Sequence, residues 1–205
     1  MVELFVSSFI TLFVIIDPPG CAPIFAGLTA GANATHRRAM AIRAVVVAAG
    51  ILLVFALAGE PLLHALGIEL ASFRIAGGVM LFLIALEMVF EKRTQRREDR
   101  AAKITEEEAD DVSIFPMAMP MIAGPGSIAT VMLLTARSHG IEQTVVVMAA
   151  LAANLLLMLL ALLAAGPLMR VLGAKIEAVI TRLLGVLLAA LAVQFVIDGV
   201  VEQLR

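Results

Sequence analysis

The sequence predicts an all-α, polytopic membrane protein of six transmembrane helices, built as two inverted three-helix repeats with broken first and fourth helices. Three observations carry this. Of 205 residues, 61% are hydrophobic and 16% charged, and the mean hydropathy is +1.03; soluble domains hold roughly 45–50% apolar and about 25% charged residues. Helix breakers interrupt two apolar runs, at Asp17-Pro18-Pro19-Gly20-Cys21-Ala22-Pro23 and at Ala123-Gly124-Pro125-Gly126-Ser127. One offset of 106 residues lays Val6-Ser7 on Val112-Ser113, Phe9 on Phe115 and Pro19-Gly20 on Pro125-Gly126. It also lays Pro61 and Gly67 on Pro167 and Gly173; two residues of slippage then bring Arg74 and Gly77 onto Arg182 and Gly185.

The first segment, about 3–30, opens on Glu3 with no basic n-region, so it reads as a span and not as a cleavable signal. Thirteen residues from Leu4 to Ile16 rise roughly 20 Å as a helix, short of a hydrocarbon core of about 30 Å. The break at Asp17 is therefore buried near or beyond mid-depth. Pro23 suits the start of a second helical piece, whose free N–H groups and partial positive charge would face the break. The second and third segments cover about 39–59 and 70–90, separated by a proline-started interfacial turn or short helix from Pro61 to Gly67. Residues 91–111 form a charged loop between the repeats, which occupy 1–90 and 112–205 of a single membrane domain. The fourth segment, about 113–136, adds Pro116 and Pro120 ahead of its break. The fifth and sixth, about 143–165 and 178–199, flank a turn from Pro167 to Gly173 that matches the one in the first repeat.

Basic residues set the orientation. With both termini outside, Arg37, Arg38, Arg43, six in the central loop, Arg170, Lys175 and Arg182 are cytoplasmic. Only Arg74, Arg137 and Arg205 of the 15 then lie outside. Three spans per copy force the second copy to enter from the opposite side, which makes the repeat inverted.

Paired breaks at equivalent places are the sequence sign of a transporter binding site. Asp17, Pro18, Gly20 and Pro23 belong to the first; Gly124, Pro125, Gly126, Ser127 and Thr130 belong to the second. Two half-helix N-termini suit a small carboxylate. Freed carbonyls and Asp17 suit an ammonium group or a coupling cation, H+ or Na+. The small residues leave little room for a bulky side chain, so a small zwitterion fits. Asp17 has three readings: a helix cap, a partner for a basic side chain, or the coupling group. Four secondary candidates sit within the spans. Arg74 and Arg182 either snorkel to the headgroups or pair with broken-helix carbonyls or an acid. Asn154 and Gln194 read first as interhelical hydrogen-bonding groups. Glu87 and Asp198, near span ends, are expected to reach water.

Several classes are disfavoured. The net charge of −2 argues against nucleic acid as a partner, and the single Cys21 rules out an internal disulfide. No Cys/His spacing suits a metal. No catalytic constellation or nucleotide signature is present, so neither an enzyme nor a bound cofactor is expected.

The stretches Asp17-Pro18-x-Gly20-x-x-Pro23-x-Phe25 and Pro116-x-Ala118-x-Pro120-x-Ile122-Ala123-Gly124-Pro125-Gly126-x-Ile128 resemble the paired motifs of the MarC family, also called UPF0056. Arg74-Ile75-Ala76-Gly77-Gly78 and Ala192-Val193-Gln194-Phe195 are similar to it as well. The resemblance spans essentially the whole chain. It implies a six-span bacterial inner-membrane protein that transports glycine, alanine or similar small neutral amino acids, driven by an ion gradient. The alternatives are export of another small polar metabolite, or a non-transporting interaction role through the central loop. The sequence specifies no oligomeric state.

Overall fold

The structure is a computed structural model that describes residues 1–90, 92, 111–138 and 140–204; the side chains of 168–175 and 177 are outside the description. The charged loop over 91–111 falls outside it too, apart from Lys92 and Asp111. Every regular element among the described residues is helical. Among the described residues five helical segments are long and apolar enough to cross a membrane, or six if one bent pair is counted as a single broken span.

Helix α1 (Val2–Ile16) ends because Asp17 precedes two prolines, which bar it from the right-handed helical region. Asp17 turns left-handed instead, at φ 58° and ψ 64°, a conformation that aspartate tolerates. Helix α2 (Pro18–Leu28) starts at once and carries Pro23 inside it, so the second piece begins five residues earlier than expected. Pro18 and Pro19 fill its first two positions, where a missing N–H costs nothing. Together α1 and α2 form one 27-residue span, Val2–Leu28.

Asn33 caps α3 (Ala34–Ala65), its Oδ1 accepting the His36 N–H at 2.8 Å. Pro61 does not start a turn; α3 runs through it. The proline forfeits one intrahelical bond near the helix end, while Leu63 beyond it continues the packed face. Gly67, at φ 68°, stops the chain, and the Ile68 N–H reaches back to the Leu63 carbonyl at 2.9 Å. Helix α4 (Leu70–Val89) follows.

The segment Ser113–Ile122 is two wide turns and not a regular helix. Phe115 and Met119 each precede a proline and are extended, and both following peptide bonds are cis. Bonds from Met117 N–H to Val112 O and from Ala123 N–H to Ala118 O, at 3.2 and 2.8 Å, close the turns over five residues. Helix α5 (Pro125–Ala136) then leaves at 53° to this segment. Helix α6 (Ile141–Leu163) and helix α7 (Ala165–Gln203) meet at Ala164. The expected turn at Pro167–Gly173 is instead the first part of α7, since a proline in the first helical turn gives up no bond.

The span formed by α1 and α2 is deeply buried: 67% of its apolar window is buried, against 28% to 39% for the spans of α3, α4, α6 and α7. One core cluster joins Leu12, Ile16 and Phe25 to Met40, Leu52, Met117, Ile122 and Met158. A second joins Val14 and Ile15 to Leu81, Met88, Leu133 and Phe195. Helix α1 is packed on both sides. The outer helices keep large apolar side chains exposed, such as Val54, Val79, Leu156 and Leu183, as lipid contact requires.

Helices α4 and α7 lie antiparallel along a seam of small residues. A Cβ on Gly78 would meet the Ala192 carbonyl at 2.8 Å, and one on Gly199 would meet the Ala71 carbonyl at 3.0 Å. The glycines at 78 and 185 are thus close helix contacts, as their type suggests. Arg74 pairs with Glu202 at one end of this seam. The expected alternatives, snorkelling or a bond to broken-helix carbonyls, give way because the antiparallel register puts the end of α7 beside the start of α4.

A candidate ligand cleft at the second helix break

Asp17 carries the first break. Its N–H closes α1 on the Phe13 carbonyl at 2.9 Å, and its carbonyl accepts the Cys21 N–H at 3.1 Å. Its Oδ1 accepts the Gly20 N–H at 3.1 Å. The cap reading is realised. One consequence corrects the expected site: α2 offers no open donor in its first turn, because two residues there are prolines and the third is bonded to Asp17. Asp17, Pro18 and Gly20 are buried and Pro23 half-buried, among the fully buried Ile16, Cys21 and Phe25.

Removing the cap should therefore be felt in stability. Asp17→Ala loses the acceptor and tolerates the left-handed backbone less well, an expected cost of about 1–2 kcal/mol. Asp17→Asn keeps both properties and should cost clearly less. Thermal unfolding of the detergent-solubilised variants measures the difference; equal midpoints would refute the cap.

The second break is open where the first is closed. Gly124 precedes α5 in an extended conformation with no side-chain cap, and Pro125 has no N–H. Among the described residues, the N–H groups of Gly126 and Ser127 have no bonded partner. Both residues line a cleft of about 770 Å3, together with Pro120, Met121, Gly124 and Pro125. The opposite wall is α4, through Met80, Leu83, Ile84 and Glu87, and Ile15 of α1 completes the floor. Glycine at 126 is what brings these walls together: its Cβ would lie 2.7 Å from Ile84 Cδ1 and 3.6 Å from Ile15 Cγ2. The two breaks are thus neighbours through Ile15, but Ile15 is the first break's contribution to this cleft. Asp17, Pro18, Gly20 and Pro23 do not line it.

Ser127 is 3% exposed, and Thr130, one turn on, is fully buried with no partner for its hydroxyl. A buried hydroxyl without a partner is costly, and these two stand on one face of α5 behind the open N–H groups. The cleft floor can therefore give hydrogen bonds and a positive helix end to an anionic group. Among the described residues no group of three or more His, Cys, Asp or Glu is placed to hold a metal.

The secondary candidates lie elsewhere. Asn154 is fully buried and ties α6 to α1, its Nδ2 donating to the Phe9 carbonyl at 3.1 Å and to Ala150 at 3.0 Å. Gln194 is exposed and donates to Asp198 at 2.7 Å. Asp198 does not simply reach water, since Arg137 also pairs with it while lying over the Phe195 ring. Arg182 is exposed. The residue that sequence reasoning misplaced is Glu87. It was expected in water near a span end, yet it is half-buried and lines the cleft. Its signal was an acid inside an apolar span, which in membranes marks function.

Two interrupted apolar segments and a cleft at the second bend define a polytopic helical membrane protein with a candidate ligand cleft. The chain matches the model of the MarC family, described as integral membrane protein, over residues 2–204, and it belongs to that family. It is similar to a UPF0056 membrane protein of Archaeoglobus fulgidus, 33% identical over 201 residues, covering 98% of this chain and 93% of the relative. The UPF0056 membrane protein YvbG of Bacillus subtilis is 36% identical, covering 97% and 95%. The UPF0056 inner membrane protein YhgN of Escherichia coli is 32% identical, covering 95% of each chain. No solved structure matches.

Proposed function

We propose that this protein is a secondary transporter of small neutral amino acids such as glycine and alanine, driven by an ion gradient across a bacterial inner membrane. The observation that carries the reading is the pair of open N–H groups at Gly126 and Ser127, at a helix start that floors a cleft between α4 and the second break. A helix N-terminus favours a carboxylate, and an interrupted span leaves backbone available only where a cavity or protein receives it. The small residues at the floor favour a short substrate, and the wider apolar part of the cleft, with Met80 and Leu83, serves as its approach. The antiparallel seam of α4 and α7 agrees with two repeats of opposite orientation.

Uptake of labelled glycine and alanine into proteoliposomes tests this directly. Saturable, gradient-dependent accumulation is expected; equal counts in protein-free vesicles would refute it. The orientation is tested separately. In a Cys21→Ser background, cysteines at Glu98 and Gln203 should be labelled from opposite sides by an impermeant reagent, with Gln203 on the periplasmic side. Labelling from one side only would remove the inverted repeat.

A further inference from the structure

We propose that Glu87 receives the cationic end of the substrate in the cleft, a role the sequence pattern assigns more naturally to Asp17. The inference rests on the transporter reading above and names the second pole of its site.

Asp17 is poorly placed for the task. The residue is absent from the cleft wall. Glu87 lies on the α4 wall of the cleft whose floor carries the donors. Ile84 Cδ1 comes within 2.7 Å of where a Gly126 Cβ would be, so α4 touches the start of α5 at that level. Glu87 is three residues further along the same face, about one turn or roughly 5 Å away. That rise adds to the lateral gap between the two walls, and a small zwitterion with hydrogen bonds of about 3 Å at each end bridges groups up to roughly 9 Å apart.

The anionic pole has independent support. Ser127 is 3% exposed, lines the cleft, and its hydroxyl has no hydrogen-bond partner among the described residues. The walls between the two poles are apolar, through Ile15, Leu83, Ile84 and Met121. Against such walls a ligand charge is costly to bury without a counter-group. Lys92, the other charged residue of the lining, is exposed. It is more distant along the chain from the Ile84–Gly126 contact than Glu87 is. Opposite poles on facing walls select an α-amino acid over a simple carboxylate or a simple amine.

The test uses the full-length protein in proteoliposomes, with labelled alanine as the substrate and propionate, which lacks the amino group, as a competitor. Glu87→Gln should raise the KM for alanine counterflow by roughly ten- to a hundred-fold, the loss expected for one charge-assisted hydrogen bond. Inhibition by propionate should be unchanged, and Glu87→Asp should keep a KM within a few-fold of wild type. An unchanged KM in Glu87→Gln overturns the proposal, as does a parallel loss of propionate inhibition, which a merely structural role would produce. Normal counterflow with lost gradient-driven accumulation also overturns it, assigning the carboxylate to the coupling ion. If Glu87→Gln does not fold, Glu87→Ser takes its place: a KM raised by roughly ten- to a hundred-fold with intact propionate inhibition supports the assignment, and an unchanged KM or equal loss of both refutes it. Wild-type protein that moves no amino acid overturns this inference and the transporter reading together; wild-type transport with an unaltered Glu87→Gln overturns this one alone.

Discussion

Gly124→Ala is expected to destroy the second break and with it ligand binding. The added Cβ would lie 2.4 Å from the Pro120 carbonyl oxygen, far inside contact distance. That oxygen is backbone, held between an extended Met119 and the turn closed by Ala123 N–H on Ala118 O at 2.8 Å. It cannot yield as a side-chain tip would. Either α5 swings away from Ser113–Ile122 or the segment unwinds, and both displace the N–H groups of Gly126 and Ser127. The expected cost exceeds about 2 kcal/mol, at the upper part of the range for overpacking. Gly50→Ala is the control, since nothing lies within 4 Å of its Cβ. Membrane yield, thermal midpoint and alanine uptake should all fall for the variant at 124 and hold for the variant at 50. Wild-type behaviour at 124 would show that the break is not built as described.

Gly78→Leu should cause the largest loss of stability among changes away from the cleft. On α4 the small residues Ala71, Gly78 and Ala85 recur every seven positions, as do Gly185, Ala192 and Gly199 on α7. A Cβ at 78 would meet Val196 Cγ2 at 2.7 Å, the Ala192 carbonyl at 2.8 Å and the Val196 N at 3.0 Å. Two of these are backbone atoms. Helices in lipid associate by close packing, with no water to expel, so a seam that cannot close has little to replace it. A leucine there must push α7 away and separate Arg74 from Glu202. The solubilised protein should run as aggregate, or unfold well below the wild type, and Gly50→Leu should do neither. A Gly78→Leu protein with a wild-type midpoint would refute the seam.

How much of this was legible beforehand differs from element to element. Six apolar segments, the two breaks and their shared offset follow from composition and from proline chemistry, which act locally. The end of α1 at Asp17 is such a case: two successive prolines forbid continuation whatever the neighbours do. The same local rule misread Pro61, because a single lost bond near a helix end is outweighed by packing on Leu63, and packing is not local. Pro23 failed as a start signal for a related reason. Asp17, Pro18 and Pro19 already opened α2, so the later proline was absorbed into its first turns.

The site was half legible. Its residue types at 124–127 stood out because glycine and proline in an apolar run have few other uses. The asymmetry between the breaks did not. By alignment Asp17 equals Ala123, so one copy carries a carboxylate that caps its own helix, while the other leaves two donors open to a cleft. Glu87 shares a cleft with those donors only because α4 crosses the start of α5 at Ile84, a contact between residues 42 positions apart. Chain chemistry dictates where a helix must stop; which groups then face one another depends on how separate helices pack, and no short stretch of sequence encodes that.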